Sequence, residues 1–351
     1  MEPAETYKLT QYSRGAGCGC KIAPNVLQEI LKGDSPAPNA KLLVGYQSND
    51  DAAVYDWGDG SALISTTDFF MPIVDDAFNF GRIAAANAIS DVYAMGGTPL
   101  LALAVLGWPV DKLPASLAQQ VLQGARAVCA QANIPLAGGH SIDSAEPIFG
   151  LSVSGKVLLN CLKKNDTAKT GDLIYITKPI GAGVISTAQK RGVLNNEHLP
   201  GFITQLTTLN RAGESLGRVA GVTAMTDVTG FGLLGHLVEM AEGAGLSAHI
   251  NYSMIPVMDG VKEYISQRVV PDATYRNWNS YSAKTAFEKG VDVMEAFNLL
   301  PDPQTNGGLM FTCRPGSEKE VEEILRAHNI EYASPIGIMV AREDKVIRVH
   351  P

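Results

Sequence analysis

The feature that most constrains this chain is a pattern of short apolar runs with strand character alternating with longer helical ones, broken once by the polar stretch Asn160 to Gly171 (NCLKKNDTAKTG). Before the break, strands read at Ala62 to Thr67, Leu100 to Leu106 and Ile148 to Leu159, with helices at Arg82 to Met95 and Ala115 to Ala132. After it, strands at Leu173 to Thr177, Thr223 to Thr226 and Leu246 to Asn251 alternate with helices at about 183–190, 203–219 and 233–244. A less regular stretch, 268–306, precedes a final strand, helix, strand, strand run to His350. Such mixed alternation predicts two α/β (mixed α+β) domains, and 351 residues suit two cores better than one. The expected division is a Gly-rich head over 1–48, an N-terminal domain over 49–159 and a C-terminal domain over 170–351.

Apolar residues make up 46% and charged residues 18%, as in a packed globular protein. No run reaches the roughly 18 to 20 apolar residues of a membrane span, and the polar start MEPAETYKLTQYS lacks a signal peptide's basic and apolar parts, so a cytoplasmic protein is expected. A formal charge of −8 with scattered Lys and Arg argues against direct nucleic-acid binding. Cysteines at 18, 20, 129, 161 and 313 do not form a disulfide framework and suit a reducing compartment. Cys129, Cys161 and Cys313 read as small buried hydrophobes.

Two Gly-rich stretches imitate nucleotide motifs. Gly15 to Lys21 has Cys20 and Ile22 where a P-loop needs Gly and Ser or Thr. Gly230, Gly232 and Gly235 fit G-x-G-x-x-G, but the next strand ends in Asn251 rather than in an acidic residue for a ribose. More telling are aspartates at segment edges among Asn and Thr: Asn49-Asp50-Asp51, Thr66-Thr67-Asp68, Asn87 with Asp91, and Thr226-Asp227. Each alone could be a cap or turn residue; together they are the ligand chemistry of hard divalent cations that bridge to phosphates. Gly138-Gly139-His140-Ser141 reads as a donor-rich turn able to face a nucleotide. In the head, Cys18 and Cys20 stand among Gly15, Gly17 and Gly19, a setting expected to be flexible and solvent-accessible, with Lys21 near enough to favour a thiolate. No further Cys or His follows at zinc-ligand spacing.

The head Leu9 to Lys21 (LTQYSRGAGCGCK) resembles that of bacterial selenophosphate synthetases. Further matches run in order through DDAAVY (50–55), STTDFFMP (65–72), AISDVYAMGG (88–97), LAGGHSID (136–143), MTDVTGFGLLGH (225–236) and DPQTNGGL (302–309), with Asn306 where the family favours Ser. The aspartate and Gly blocks are shared with the aminoimidazole ribonucleotide synthetase-like superfamily, whereas the Cys-Gly-Cys-Lys head marks the selenium enzyme. The resemblance implies a two-domain fold whose N-terminal domains pair in a homodimer. It implies conversion of ATP, selenide and water to selenophosphate, AMP and orthophosphate, with Mg²⁺, and it brings in K⁺ as a further candidate cofactor and a selenium-delivery protein as a candidate partner. It carries Asp51, Asp91 and Asp227 over as Mg²⁺ ligands. Asp68 and Asp91 would also serve the nucleotide, which Lys21, Ser48, Asn49, Asp50, Gly139, His140 and Ser141 would line. Cys18 and Lys21 would be catalytic, Cys18 at the selenium step.

Overall fold

The structure, a computed structural model, describes residues 7–22, 24–30, 39–45 and 50–351. The N-terminal half contains α1 (Pro24–Ile30), β1 (Leu42–Val44), β2 (Ala53–Asp56), β3 (Ser61–Phe70), α2 (Ala77–Ala94), β4 (Thr98–Trp108), α3 (Ala115–Gln131), β5 (Leu136–Asp143) and β6 (Ile148–Leu158). The C-terminal half contains β7 (Leu173–Ile176), α4 (Ala182–Lys190), α5 (Leu199–Thr207), α6 (Ala212–Gly217), β8 (Val222–Asp227), α7 (Gly232–Gly243), β9 (Leu246–Asn251) and α8 (Val261–Ser266). It ends with α9 (Asp272–Tyr281), β10 (Thr285–Phe287), α10 (Val293–Leu299), β11 (Leu309–Cys313), α11 (Glu318–Ala327), β12 (Gly337–Ala341) and β13 (Ile347–His350).

Two sheets result, one per half: β1-β2-β3-β6-β4-β5 and β10-β13-β9-β12-β7-β11-β8. In the first, β3, β6 and β4 pair antiparallel and β5 joins β4 in parallel at the edge. Its core holds a chain of tilted and edge-on rings, Phe70, Phe80 and Phe149. Helix α2 is capped by Asp76, whose carboxylate accepts the Asn79 N–H at 2.7 Å. Every residue of α2 from Ile83 to Ala94 is buried, so this part of the helix has no solvent side. It packs on β3, β6 and α3 of its own half and on α5, α6 and β8 of the other, so it is the joint between the two halves. Close contact with α3 requires glycine: a Cβ on Gly124 would stand 2.0 Å from Phe78 O.

The predicted helix over 203–219 is instead two helices, α5 and α6. The Leu206 and Thr208 carbonyls at the end of α5 are taken by Asn306 Nδ2 at 2.8 and 2.9 Å, and Lys178 Nζ also donates to Thr208 O at 2.8 Å, so the first helix ends there. Residues 268–306, read as irregular, contain α9, β10 and α10. The polar stretch 160–171 is pinned rather than loose, with Lys163 Nζ donating to Val219 O and Val222 O at 2.9 and 2.8 Å. Strands β8 and β9 flank α7 but lie on either side of β11, β7 and β12, so the G-x-G-x-x-G segment opens no Rossmann unit. Gly232 has φ +69° and serves close packing, since a Cβ there would meet Pro301 C at 2.6 Å.

Candidate active site

Positions three and four apart share a helix face, so α2 presents Asn87, Ser90 and Asp91 together. Opposite them come Asp68 from β3, Asp51 just before β2 and Asp227 at the end of β8. Thr226 Oγ1 donates to Asp51 Oδ1 at 2.7 Å, tying the two halves together one residue before Asp227. The Thr66 hydroxyl donates to Asp91, and the Asn87 amide to Asp68. Burial first, and the charge of Asp227 next, push the Asp51 and Asp91 carboxyls well above the usual range. Burial pushes Asp227 up to about 6, against the Ser90 hydroxyl and the ammoniums of Lys21 and Lys178.

Asp51 Oδ2 and Asp227 Oδ2 are buried without a hydrogen-bond partner. Repelling carboxylates with orphan oxygens fit a hard divalent cation. Among the described residues no three metal-ligating side chains stand at the spacing of a closed site, so the carboxylates share a pocket without a preformed ligand cage.

The Lys21 side chain is exposed over its surface as a whole, but its charge faces inward. Asp68 above all, then Cys18, Asp91 and Asp227, hold the ammonium protonated well above the usual lysine range, outweighing the cost of burial.

The head is not the open loop that its glycines suggest. Cys18 is 1% exposed; its N–H donates to Thr305 Oγ1 at 3.0 Å and its Sγ to Asn87 Oδ1 at 3.4 Å. Asn87 Oδ1 also accepts the Asn306 N–H at 2.6 Å, which fixes the orientation of the amide and turns Nδ2 toward Asp68. Gly17, at φ +50°, explains the correction: its N–H bonds Met71 O at 3.1 Å, and a Cβ would lie 2.5 Å from Thr305 Oγ1. The glycine permits close approach where the sequence suggested mobility.

At 53% identity over 95% of this chain and 96% of the relative, the sequence matches "Selenide, water dikinase" of Aeromonas hydrophila. The protein of the same name from Pseudomonas putida is 51% identical, with 99% of both chains covered. This chain belongs to the selenide, water dikinase family. Residues 49–157 and 169–350 match the N-terminal and C-terminal domains of AIR synthase related proteins. The fold is also that of thiamine-monophosphate kinase from Stenotrophomonas maltophilia, with a TM-score of 0.63 at 20% identity over 94% of this chain and 96% of that one.

Among the described residues, no hydrogen bond between side chains joins the other residues singled out from the sequence to these aspartates. Ser48 and Asn49 are outside the described residues. Asp50 accepts the Asp51 N–H through Oδ1 at 3.1 Å and the Asn165 N–H of the inter-domain stretch through Oδ2 at 3.4 Å, and burial pushes its carboxyl up to about 7. Gly139, His140 and Ser141 are not a turn but part of the exposed edge strand β5. The register runs Asp68, Leu151, Ala104, Gly139 across β3, β6, β4 and β5. That separates Gly139 from Asp68 by three strand spacings, about 14 Å.

The sequence reading missed Lys178, buried beside Asp227 with its ammonium on the Thr208 and Asn306 carbonyls at 2.8 and 3.0 Å. Burial pushes its pKa down to about 7, with Asp227 opposing. Its one signal was a lysine closing an apolar strand before Pro179.

His236 is a satisfied core histidine. The Thr229 N–H donates to Nε2 at 3.1 Å, so the ring proton sits on Nδ1, facing Glu239 Oε2 at 3.5 Å. Burial, then Lys21, push the imidazole down to about 3. The unfolded chain takes up this proton at about 6.5, so the stability from this site is complete above that pH and is lost as pH falls toward 3. Glu239, pushed up to about 8 by burial, acts oppositely, its share being lost as pH rises from 4.5 to 8. His236→Gln is therefore expected to flatten the acid fall in urea midpoint relative to the unmodified chain; identical slopes would assign that fall to other groups.

Proposed function

We propose that this chain makes selenophosphate, transferring phosphate from ATP to selenide and releasing AMP and orthophosphate, where its two halves meet at α2. The observation that carries the reading is the Asn87 amide, which joins the Cys18 thiol to the Asp68 carboxylate beside Asp91 and Asp227. A thiol suited to selenium and carboxylates suited to cation-bound phosphates thus share one pocket.

Asp51, Asp91 and Asp227 would hold Mg²⁺, the two orphan carboxylate oxygens being the first candidates for ligation. The ion would neutralise charge on the phosphate oxygens. Lys21 is held protonated by Asp68 and can turn that charge to a phosphate. Thr66, Ser90 and Thr226 orient the three carboxylates through their hydroxyls. Asn87 aims the thiol, and the burial of Cys18 keeps water from it. K⁺ and a selenium-delivery protein belong to this reading as family traits.

A homodimer completes it. The uncovered face of the N-terminal sheet exposes Phe69, Leu101, Leu103 and Ile142, an apolar area suited to a second copy. With β5 about 14 Å from Asp68 in its own chain, Gly139 to Ser141 would line the nucleotide of the partner rather than their own. No helix among the described residues is long and apolar enough to cross a membrane, and the reading places the enzyme in the cytoplasm.

Anaerobic turnover with ATP and selenide tests the function. AMP and a selenium-bonded phosphorus resonance are expected only when both substrates are present. ADP release without selenide would instead identify a sister kinase.

A further inference from the structure

A cleft of about 340 Å³ opens beside the head, and none of the four pocket aspartates Asp51, Asp68, Asp91 and Asp227 lines it. Its charged lining is Arg14, Lys190, Arg191 and Arg276 against the single carboxylate of Asp272. In a chain of net charge −8, such a concentration of cations marks a place for an anion. Gly15, Ala16 and Gly19 form the wall toward Cys18. Thr305, whose hydroxyl accepts the Cys18 N–H, lines the cleft as well, so this cavity and the buried thiol are separated by little more than glycine-rich backbone.

The cations also hold that backbone in place. Lys190 Nζ, at the end of α4, donates to Ser13 O, Arg14 O and Gly15 O at 2.8, 3.1 and 3.4 Å. Arg276 Nη2, on α9, donates to Gly19 O at 2.9 Å, leaving the rest of its guanidinium fork for a ligand. Arg191 is anchored on Arg268 O and Val270 O at 3.0 and 3.3 Å and fixes the far wall. An anion entering the cleft competes with head carbonyls for Lys190 and Arg276, and the carbonyls it displaces belong to the segment that carries Cys18.

We propose that this cleft is the inlet for selenium: hydrogen selenide, a small anion at neutral pH, is drawn to Arg276 and Lys190 and loosens residues 13–19 enough to reach the thiol. The proposal rests on the reading of this chain as a selenide-using enzyme. Orthophosphate, a product of that reaction, is the other small anion with the same chemistry.

Anaerobic AMP release, with selenide and ATP varied in turn, tests the inlet in Arg276→Gln, Lys190→Gln and the conservative Lys190→Arg. Losing one cation is expected to raise the KM for selenide about tenfold, equivalent to ~1.4 kcal/mol. The KM for ATP should not follow it, and Lys190→Arg should recover most of the loss. An unmoved selenide KM overturns the proposal, and so does a fall in kcat with no split between the substrates, which would mean the cations only hold the head. If Arg276→Gln relieves inhibition by added orthophosphate while selenide KM stays put, the cleft is a product site and the inlet is refuted. Absence of selenide-dependent AMP release from the unmodified chain would sink the functional reading itself and the inlet with it.

Discussion

Cys18→Ser is expected to abolish selenide-dependent AMP release and to leave the chain folded. The serine hydroxyl can donate to Asn87 Oδ1 as the thiol does, and the backbone bond to Thr305 is untouched, so Asn87 keeps its orientation. What disappears is thiolate chemistry, because a serine stays protonated near neutral pH. Cys20→Ser, in the same segment, should keep most activity, which makes it the control for a general effect on the head. Lys21→Ala should fail for another reason. Its ammonium faces Asp68, Asp91 and Asp227, and losing a charge that acts on phosphate in the transition state costs roughly 2 to 4 kcal/mol, about 10² to 10³ in rate. Removing that cation also leaves the aspartates less compensated, so the loss should deepen as pH rises. Anaerobic AMP assays of the three variants, with circular dichroism as the folding check, decide the matter. Unmodified turnover by Cys18→Ser would show the thiol has no chemical role.

The second large effect has two opposite signs. Asp51→Asn and Asp227→Asn should eliminate turnover and yet stabilise the metal-free chain. The folded carboxyl of Asp227 holds its proton to about 6, compared with 3.8 in the unfolded chain. Between those values the folded state carries the extra proton, so stability is lost as pH rises through that window. An uncharged amide escapes that loss, worth up to about 3 kcal/mol above pH 6 at 1.36 kcal/mol per pKa unit. Asp51, also pushed upward, should behave alike. A cation that binds only the folded chain offsets the same repulsion, so Mg²⁺ should raise the melting temperature of the unmodified chain and not that of the variants. Thermal melts at pH 5 and pH 8, with and without Mg²⁺, give all the comparisons. A variant that melts earlier than the unmodified chain in metal-free buffer would mark these aspartates as structural, and a persistent Mg²⁺ shift would place the ion elsewhere.

Much of this was legible in the residues because the relevant signals are local. Strand and helix periodicity located most elements to within a few residues, and the spacing of Asn87 and Asp91 put them on one helix face before any fold was known. Asp beside Asn and Thr singled out the carboxylates that the fold brings together, and the order of the motifs pointed to the family. The failures share a cause. A glycine-rich segment has no side-chain pattern to read, so the burial of Cys18 beneath Thr305 and Asn87 could not be told from an open loop. Gly138 to Ser141 begins with two adjacent glycines and reads as a turn, but strand β4 takes it as an edge partner. Asn306, a small departure in the motif, adopts φ +46° and binds two carbonyls of the 206–208 segment, contacts that begin a hundred positions away.

The sequence by itself determined which residue types were available and which short segments would become strands and helices, because propensity and periodicity act between near neighbours. Only the tertiary structure decided that Asp51, Asp91 and Asp227 meet, that a helix buried from Ile83 onward joins the halves, and that Lys178 lies buried beside Asp227. It also decided that the head is clamped under cations from the other half. These are long-range effects of burial and charge: a carboxyl's pKa and a thiol's exposure depend on what the fold packs against them, and no window of adjacent residues contains that information.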